Sequence, residues 1–271
     1  LDDLVAFVPP VVYDLADAFW PGPLTIILDK SPIIPDEVTT GLDTVAIRMP
    51  SHPVARQIIK AAGVPLAAPS ANTSGKPSPT TAEHVMHDIA GKIDAVVDGG
   101  PCEVGVESTV ITLATRKPKL LRPGRVTPDE LEEVLGDELI IDDAVLGKLK
   151  EGERAASPGM KYKHYSPSSE VKIVKGSFIG FVDFVNQRAI ATDGVAALVF
   201  DGEEDKLNCK TLLFGAECDD LAHASKLFDA LRTCDDEGIK ELYVRCPSDE
   251  GVGLAVMNRL LRAAEYNIIE V

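Results

Sequence analysis

Cysteine is scarce in this chain of 271 residues, and the five that occur, at 102, 209, 218, 234 and 246, do not pair by spacing. An odd number with no C-x-x-C step argues against a disulfide framework and against a zinc ribbon, and fits a reducing compartment. Positive charge is also in short supply. Lys and Arg total 27 against 43 Asp and Glu, a formal net charge of −16. A chain this acidic does not coat nucleic acid by charge alone, so any anionic ligand must meet a local cluster of donors. Aromatic residues make up 5 %, with a single Trp. No apolar run reaches the roughly 20 residues of a membrane span, and no signal peptide is visible, so a cytoplasmic protein without membrane contact is expected. An initiator Met is missing too, and the opening "LDDLVAFVPP" begins in mid-pattern, which suggests natural sequence upstream.

What is present is ordinary globular material, 45 % apolar and 26 % charged. Short β-rich runs bounded by Gly, Pro and Asp predict strands at 24–28, 44–49, 65–69, 94–100, 108–113 and 119–124. Helices are predicted at 52–63, 80–93 and 127–136. The second should be capped by Thr80 or Thr81, and the third carries Thr127 as N-cap, Pro128 at its first position and Gly136 at its stop. After residue 145 the periodicity fades. It resumes with strands at 171–174, 195–200, 209–214, 241–246 and 267–271, and helices at 178–189, 220–238 and 253–265. This alternation predicts an α/β protein: a mixed-sheet domain over 1–145, a linker over 146–169, and a smaller doubly wound, Rossmann-like domain over 170–271. The acidic groups Asp142-Asp143, Glu203-Glu204-Asp205, Asp219-Asp220 and Asp235-Asp236-Glu237 read as solvated turns and helix ends.

Five stretches could carry chemistry. "APSANTSGKPSPTT" (68–81) lies between a predicted strand and a helix, where open sheets bind ligands, and its small residues leave backbone N–H groups accessible to oxyanions. A plain Ser/Pro/Gly surface loop has the same composition. Arg48 ends an apolar strand, where a guanidinium can grip a carboxylate bidentately or simply reach solvent. In "GVESTV" (105–110), Ser108 offers a hydroxyl, although such strand starts are often structural. In "LLRPGR" (120–125), Arg122 and Arg125 flank a Pro-Gly turn, either a phosphate clamp or a solvated corner. Last, "SPGMKYKHYSP" (157–167) gathers Lys161, Tyr162, Lys163, His164 and Tyr165 between two Ser-Pro steps without any helix or strand period. A proline-bounded spacer does not account for its aromatics; a segment that excludes water from a phosphate-transfer site does. His84 and His87 lack a third ligand, so no metal site is predicted. "GVGLAVMNRL" lacks the third glycine of a dinucleotide loop, and its glycines are expected to serve close helix packing.

Read in order, "FWPGPLT" (19–25), "TVAIRMP" (44–50), "APSANTSGKPSPT" (68–80), "VESTV" (106–110), "LLRPG" (120–124) and "SPGMKYKHYSP" resemble the YrdC-type threonylcarbamoyl-AMP synthases. "GLAVMNRLLRAA" (253–264) is similar to the last helix of the extra domain in that family's long form. The resemblance implies a YrdC-like mixed twisted sheet followed by a Rossmann-like domain. It also implies a nucleotidyltransferase that makes L-threonylcarbamoyladenylate and pyrophosphate from L-threonine, bicarbonate and ATP with Mg²⁺, for a downstream tRNA threonylcarbamoyl transferase. By the same resemblance, Arg48, Ala68 and Ser108 hold L-threonine. Thr44, Ser70, Asn72, Ser78, Arg122, Tyr162 and His164 contact ATP, the last two from the linker. Ala67 and Ala68 are candidates for a niche around the threonine methyl. Family members begin with a further segment that contacts threonine and grips the triphosphate; a chain lacking it is expected to have little activity. Two other readings remain: a noncatalytic nucleotide-binding module, and a carbamoyl-adenylate-forming relative, which would carry zinc-finger cysteines not found here.

Overall fold

The computed structural model describes residues 1–147 and 165–271. In chain order the elements are α1 (Val11–Phe19), β1 (Leu24–Asp29), α2 (Asp36–Thr39), β2 (Thr44–Ile47), α3 (Pro53–Ala62), α4 (Ala82–Ile89), β3 (Thr109–Thr112), β4 (Lys119–Arg122), α5 (Pro128–Leu135) and β5 (Ile140–Ile141). They continue as β6 (Glu170–Lys175), α6 (Phe178–Ala191), β7 (Val195–Val199), β8 (Lys210–Leu213), α7 (Asp220–Asp236), β9 (Glu241–Arg245), α8 (Gly253–Ala263) and β10 (Ile268–Glu270). The described residues form two compact units, 1–69 with 107–147 and 70–106 with 165–271. The stretch 70–106, which a linear reading groups with residues 1–69, thus lies in the compact unit of 165–271.

The first unit is built on a mixed sheet of order β2-β1-β3-β4-β5, in which β1 pairs antiparallel with β2 and parallel with β3. Leu24, Ile26 and Ile111 are fully buried in it. α1 packs on α5 through Val12, Leu15 and Leu131. The α5 signals act as their residue types require. The Thr127 hydroxyl accepts from Glu130 N–H while the Glu130 carboxylate accepts from Thr127 N–H, a reciprocal capping box. Gly136 then ends the helix at φ +64°, a conformation that costs other residues about 1 kcal/mol or more.

The second unit carries an all-parallel sheet of order β10-β6-β9-β7-β8. Every residue of β7 is buried, as expected of a central strand covered on both faces. On one face α6 supplies Phe181 and Val185 against Val174, Ala197 and Val199. On the other, α7 and α8 pack Leu227, Leu231, Val256 and Leu260 against Ile173, Leu198 and Val244. Helices on both faces of a parallel sheet make this the doubly wound domain that the alternating pattern predicts.

Two predicted strands do not form. Residues 65–69 and 94–100 carry strand-like side chains, but both are irregular and largely exposed. A β-rich run becomes a strand only where a neighbouring segment completes its hydrogen-bond ladder, and no ladder partner meets these runs among the described residues. The acidic groups also depart from the solvated reading at several points. Glu203 pairs with Arg245 at 3.1 Å with both side chains largely buried, Asp142 pairs with Lys119 at 3.3 Å, and Asp219 caps α7. Asp235 has partners of its own, described below. In each case an acid close to a helix or strand end meets a donor that the linear sequence places far away or hides in the backbone.

Candidate functional site

In the first unit the polar side chains converge on one end of the sheet. The Ile26–Ile47 pair is the last of the β1–β2 ladder, and Arg48 follows directly. Gly22 N–H then donates to Met49 O at 2.8 Å, which brings the "PGP" turn alongside. On the other side of β1, Thr109 N–H donates to Pro23 O at 2.9 Å, so Ser108 stands at the same edge. Ser108 Oγ and Thr25 Oγ1 lie 2.8 Å apart. Arg122, the last residue of β4, donates from Nε to Ser108 O at 3.1 Å and from Nη2 to Ser108 Oγ at 3.2 Å. A register shift between Val110 and Ile111 lies in the ladder beside it, and such bulges re-aim side chains. The result is a buried hydroxyl held between a threonine and a guanidinium.

Arg48 differs from Arg122. Its side chain is exposed, and no acceptor or carboxylate pairs with it among the described residues. Neighbouring atoms crowd the guanidinium enough that lost hydration lowers its pKa, yet solvent access keeps it charged. A cation in that position gains by meeting a carboxylate. Thr44 sits at the opposite end of β2, paired with Asp29, about 13 Å along the strand from Arg48 at ~3.3 Å per residue. The structure therefore groups Arg48, Ser108 and Arg122, adds Thr25, and leaves Thr44 at the far end. Ala68 is exposed in the irregular stretch after α3.

The Pro-Gly turn after Arg122 is set by a close backbone approach. A Cβ on Gly124 would lie 2.4 Å from Thr109 N and 2.8 Å from Glu107 O, and Thr109 Oγ1 donates to Val126 O at 2.7 Å across the same contact. Gly124→Ala should therefore push the turn off the start of β3 and cost about 1–3 kcal/mol. A urea midpoint unchanged from wild type would contradict this. Arg125, the other arginine of the turn, points to Glu130 at 3.4 Å.

In the second unit the loop 70–81 is irregular, with Gly75 at φ +87°. Ser70 is exposed, Asn72 half-buried and Ser78 buried. Asn72 Nδ2 donates to Thr73 O and Lys76 O, folding the loop on itself. Thr81 caps α4 by accepting from His84 N–H, which decides between the two threonines proposed for that role. His84 Nδ1 faces Thr80, and burial, then the nearby Arg232 charge, lowers its pKa. The Lys76 ammonium of this loop is held by Asp235 at 2.7 Å. Tyr162 and His164 lie outside the described residues. Thr25, Arg232 and Asp235 are polar partners of the site segments that sequence reasoning did not single out.

The remaining chemistry is sparse. Burial raises the thiol pKa values of Cys209 and Cys246 and pushes that of Cys234 up to about 12, so these three are poor nucleophiles. Among the described residues no group of three or more His, Cys, Asp or Glu could hold a metal ion, and no helix is long and apolar enough to cross a membrane. The first unit presents guanidinium groups and hydroxyls at one end of its sheet, and the second presents a loop of small polar residues; each is chemically suited to anionic groups.

Comparison with known proteins agrees with that chemistry. Residues 1–124 match the family model described as "Telomere recombination", and residues 126–265 match "Threonylcarbamoyl-AMP synthase, C-terminal domain". The chain is 42 % identical to the threonylcarbamoyl-AMP synthase of Pyrococcus abyssi, over 100 % of this chain and 78 % of that protein. It is 42 % identical to the Bacillus subtilis enzyme, over 99 % of this chain and 77 % of that protein. The crystal structure of P. abyssi Sua5 complexed with L-threonine superposes with a TM-score of 0.89 at 42 % identity, covering 100 % of this chain and 78 % of that one. The chain belongs to the threonylcarbamoyl-AMP synthase family.

Proposed function

We propose that this protein joins L-threonine, bicarbonate and ATP into L-threonylcarbamoyladenylate, releasing pyrophosphate, in the cytoplasm and for a downstream tRNA threonylcarbamoyl transferase. Family membership supports the reaction, and Arg48 is the observation that ties it to these residues: an exposed guanidinium without a described partner, at the sheet edge that also carries Ser108. Arg48 takes the threonine carboxylate through two parallel N–H···O bonds. Ser108, with Ala68 nearby in sequence to the loop, completes the amino-acid site. Thr44, Ser70, Asn72, Ser78, Arg122, Tyr162 and His164 are assigned to ATP, which enters as its Mg²⁺ complex.

The chemistry asks little of a protein nucleophile. The threonine amine first bonds to the carbon of bicarbonate as a C–O bond of bicarbonate breaks and water leaves, giving N-carboxythreonine. Its carbamate oxygen then attacks the α-phosphorus, the new O–P bond forming as the bond from the α-phosphorus to the bridging oxygen breaks, and that oxygen leaves with pyrophosphate. Such a step needs alignment, charge neutralisation and exclusion of water. Arginines and loop N–H groups supply the first two. Preference for threonine over serine rests on one methyl group, about 1–3 kcal/mol if Ala67 and Ala68 enclose it.

The test is pyrophosphate release with each substrate omitted in turn. Release that requires ATP, bicarbonate and threonine together is expected, with serine a poor substitute. ATP binding without threonine-dependent release would instead favour the nucleotide-binding module.

A further inference from the structure

The last two turns of α7 hold the loop 70–81 at several points. Arg232, 7 % exposed, donates from Nη2 to Pro77 O at 2.6 Å and closes a two-pronged pair on Asp88 of α4 at 3.1 and 2.9 Å. Asp88 in turn accepts from Thr73 N–H at 3.2 Å. Three residues on, and therefore on the same helix face, Asp235 binds the Lys76 ammonium at 2.7 Å and accepts from Ser168 N–H. Ser166 N–H reaches Gly75 O at 3.0 Å, so the strand of chain at 166–168 is tied to the loop both directly and through Asp235. Nearer the start of α7, Gly105 packs so closely that a Cβ there would lie 2.4 Å from Ala224 O and Ser225 Cα. Burial opposes the charge on Asp235, but the hydrogen bonds from Lys76 and Ser168 outweigh it and hold its pKa below the usual value.

From this we infer that Arg232 and Asp235 are positioning residues for the nucleotide: from α7 they fix the backbone of 73–78, and with it the side-chain amide of Asn72, which is bonded to Thr73 O and Lys76 O, and the hydroxyl of Ser78. The inference rests on the reading of 70–81 as the ATP loop. It gives α7 a part in the reaction without contact with a substrate. Three separate attachments, at Thr73 through Asp88, at Lys76, and at Pro77, tie the loop down along its length. They leave the loop little freedom to change shape when phosphate oxygens approach, which is the condition for donors that need no reorganisation. Lys76 contributes through the latch, its charge already answered by Asp235.

The experiment uses the full protein and reads KM for ATP, KM for threonine and kcat separately, with ATP affinity measured in parallel by calorimetry. Asp235→Asn and Arg232→Lys, which keep size or charge but lose the latch or the fork, are expected to raise KM and Kd for ATP about tenfold while KM for threonine moves less than about twofold. Asp235→Lys should be worse, and the exchanged pair Lys76→Glu with Asp235→Lys should recover most of the loss. An unchanged ATP constant in the folded Asp235→Asn and Arg232→Lys proteins overturns the inference. So does an equal rise in both KM values. If the wild type binds ATP but releases no threonine-dependent pyrophosphate, the synthase reading fails while the Kd ratio still decides the role of α7. Wild type that binds no ATP overturns both.

Discussion

Arg48→Ala is expected to weaken L-threonine binding about a hundredfold. The guanidinium stands at the end of β2 with no described partner to release, so its interaction with a carboxylate is not offset by breaking another pair. Two charge-assisted hydrogen bonds at about 1.5 kcal/mol each give ~3 kcal/mol, and each 1.4 kcal/mol is a factor of ten. The side chain is exposed in the free protein, so its truncation should leave stability within about 0.5 kcal/mol of wild type. Arg48→Lys keeps the charge but not the fork and should fall between, with a loss of about tenfold. The measurement is threonine affinity by calorimetry alongside KM for threonine and for ATP. If Arg48 holds the carboxylate, KM for ATP barely moves. A threonine constant indifferent to both substitutions would remove Arg48 from the amino-acid site.

The place of Arg48 at a strand end was legible because everything that sets it is local: an apolar strand, then a cation, then Met-Pro. The same holds for the helix ends. Thr127, Pro128 and Gly136 announce α5 within one short stretch, and the reciprocal bonds of Thr127 and Glu130 form as those residue types dictate. β7 reads clearly because a central parallel strand is a continuous apolar run. By contrast, α1 follows two prolines and opens on Val-Val, which resembles a strand start, and it is decided by Val12 and Leu15 reaching the core. The runs at 65–69 and 94–100 failed in the opposite sense, strand-like in composition without a ladder to join. β5 is two exposed residues, held only by its neighbour.

The supports of the site were less legible than its candidates. Ser108 was singled out, but Thr25, its partner 83 positions away, was not. Asp235 looked like one more acid in Asp235-Asp236-Glu237, and only the fold brings Lys76 to it across 159 positions. Local chemistry can nominate a residue that meets a ligand, because such residues need an accessible, distinctive group. A residue that acts by holding a loop has an ordinary side chain, and its meaning lies in which carbonyl it reaches.

The Asp88–Arg232 pair sets the largest stability effect. The two side chains are 5 % and 8 % exposed. Removing the acid strands a guanidinium that cannot lose its proton, and breaking a buried pair from one side costs about 3–5 kcal/mol. Arg232 keeps its bond to Pro77 O, which places Asp88→Ala at the lower end, about 3 kcal/mol. Replacing both partners, Asp88→Ala with Arg232→Met, should cost less than Asp88→Ala alone, since no charge is then left without a partner. The pair also fixes an acid dependence. Its hydrogen bonds with Arg232, more than opposing burial, hold the Asp88 carboxyl well below the ordinary aspartate value of 3.8. The unfolded chain therefore takes up the proton first. The stabilisation is complete above that value and is lost as pH falls below it toward the depressed folded value. Urea midpoints between about pH 7 and pH 2.5 should show wild type losing stability over that range more steeply than Asp88→Asn, which has no proton to gain there. Parallel pH profiles for the two proteins, or an Asp88→Ala midpoint matching wild type, would mean that the loop is held by the carbonyl contacts of Arg232 alone, and that the salt bridge on its other side carries no weight.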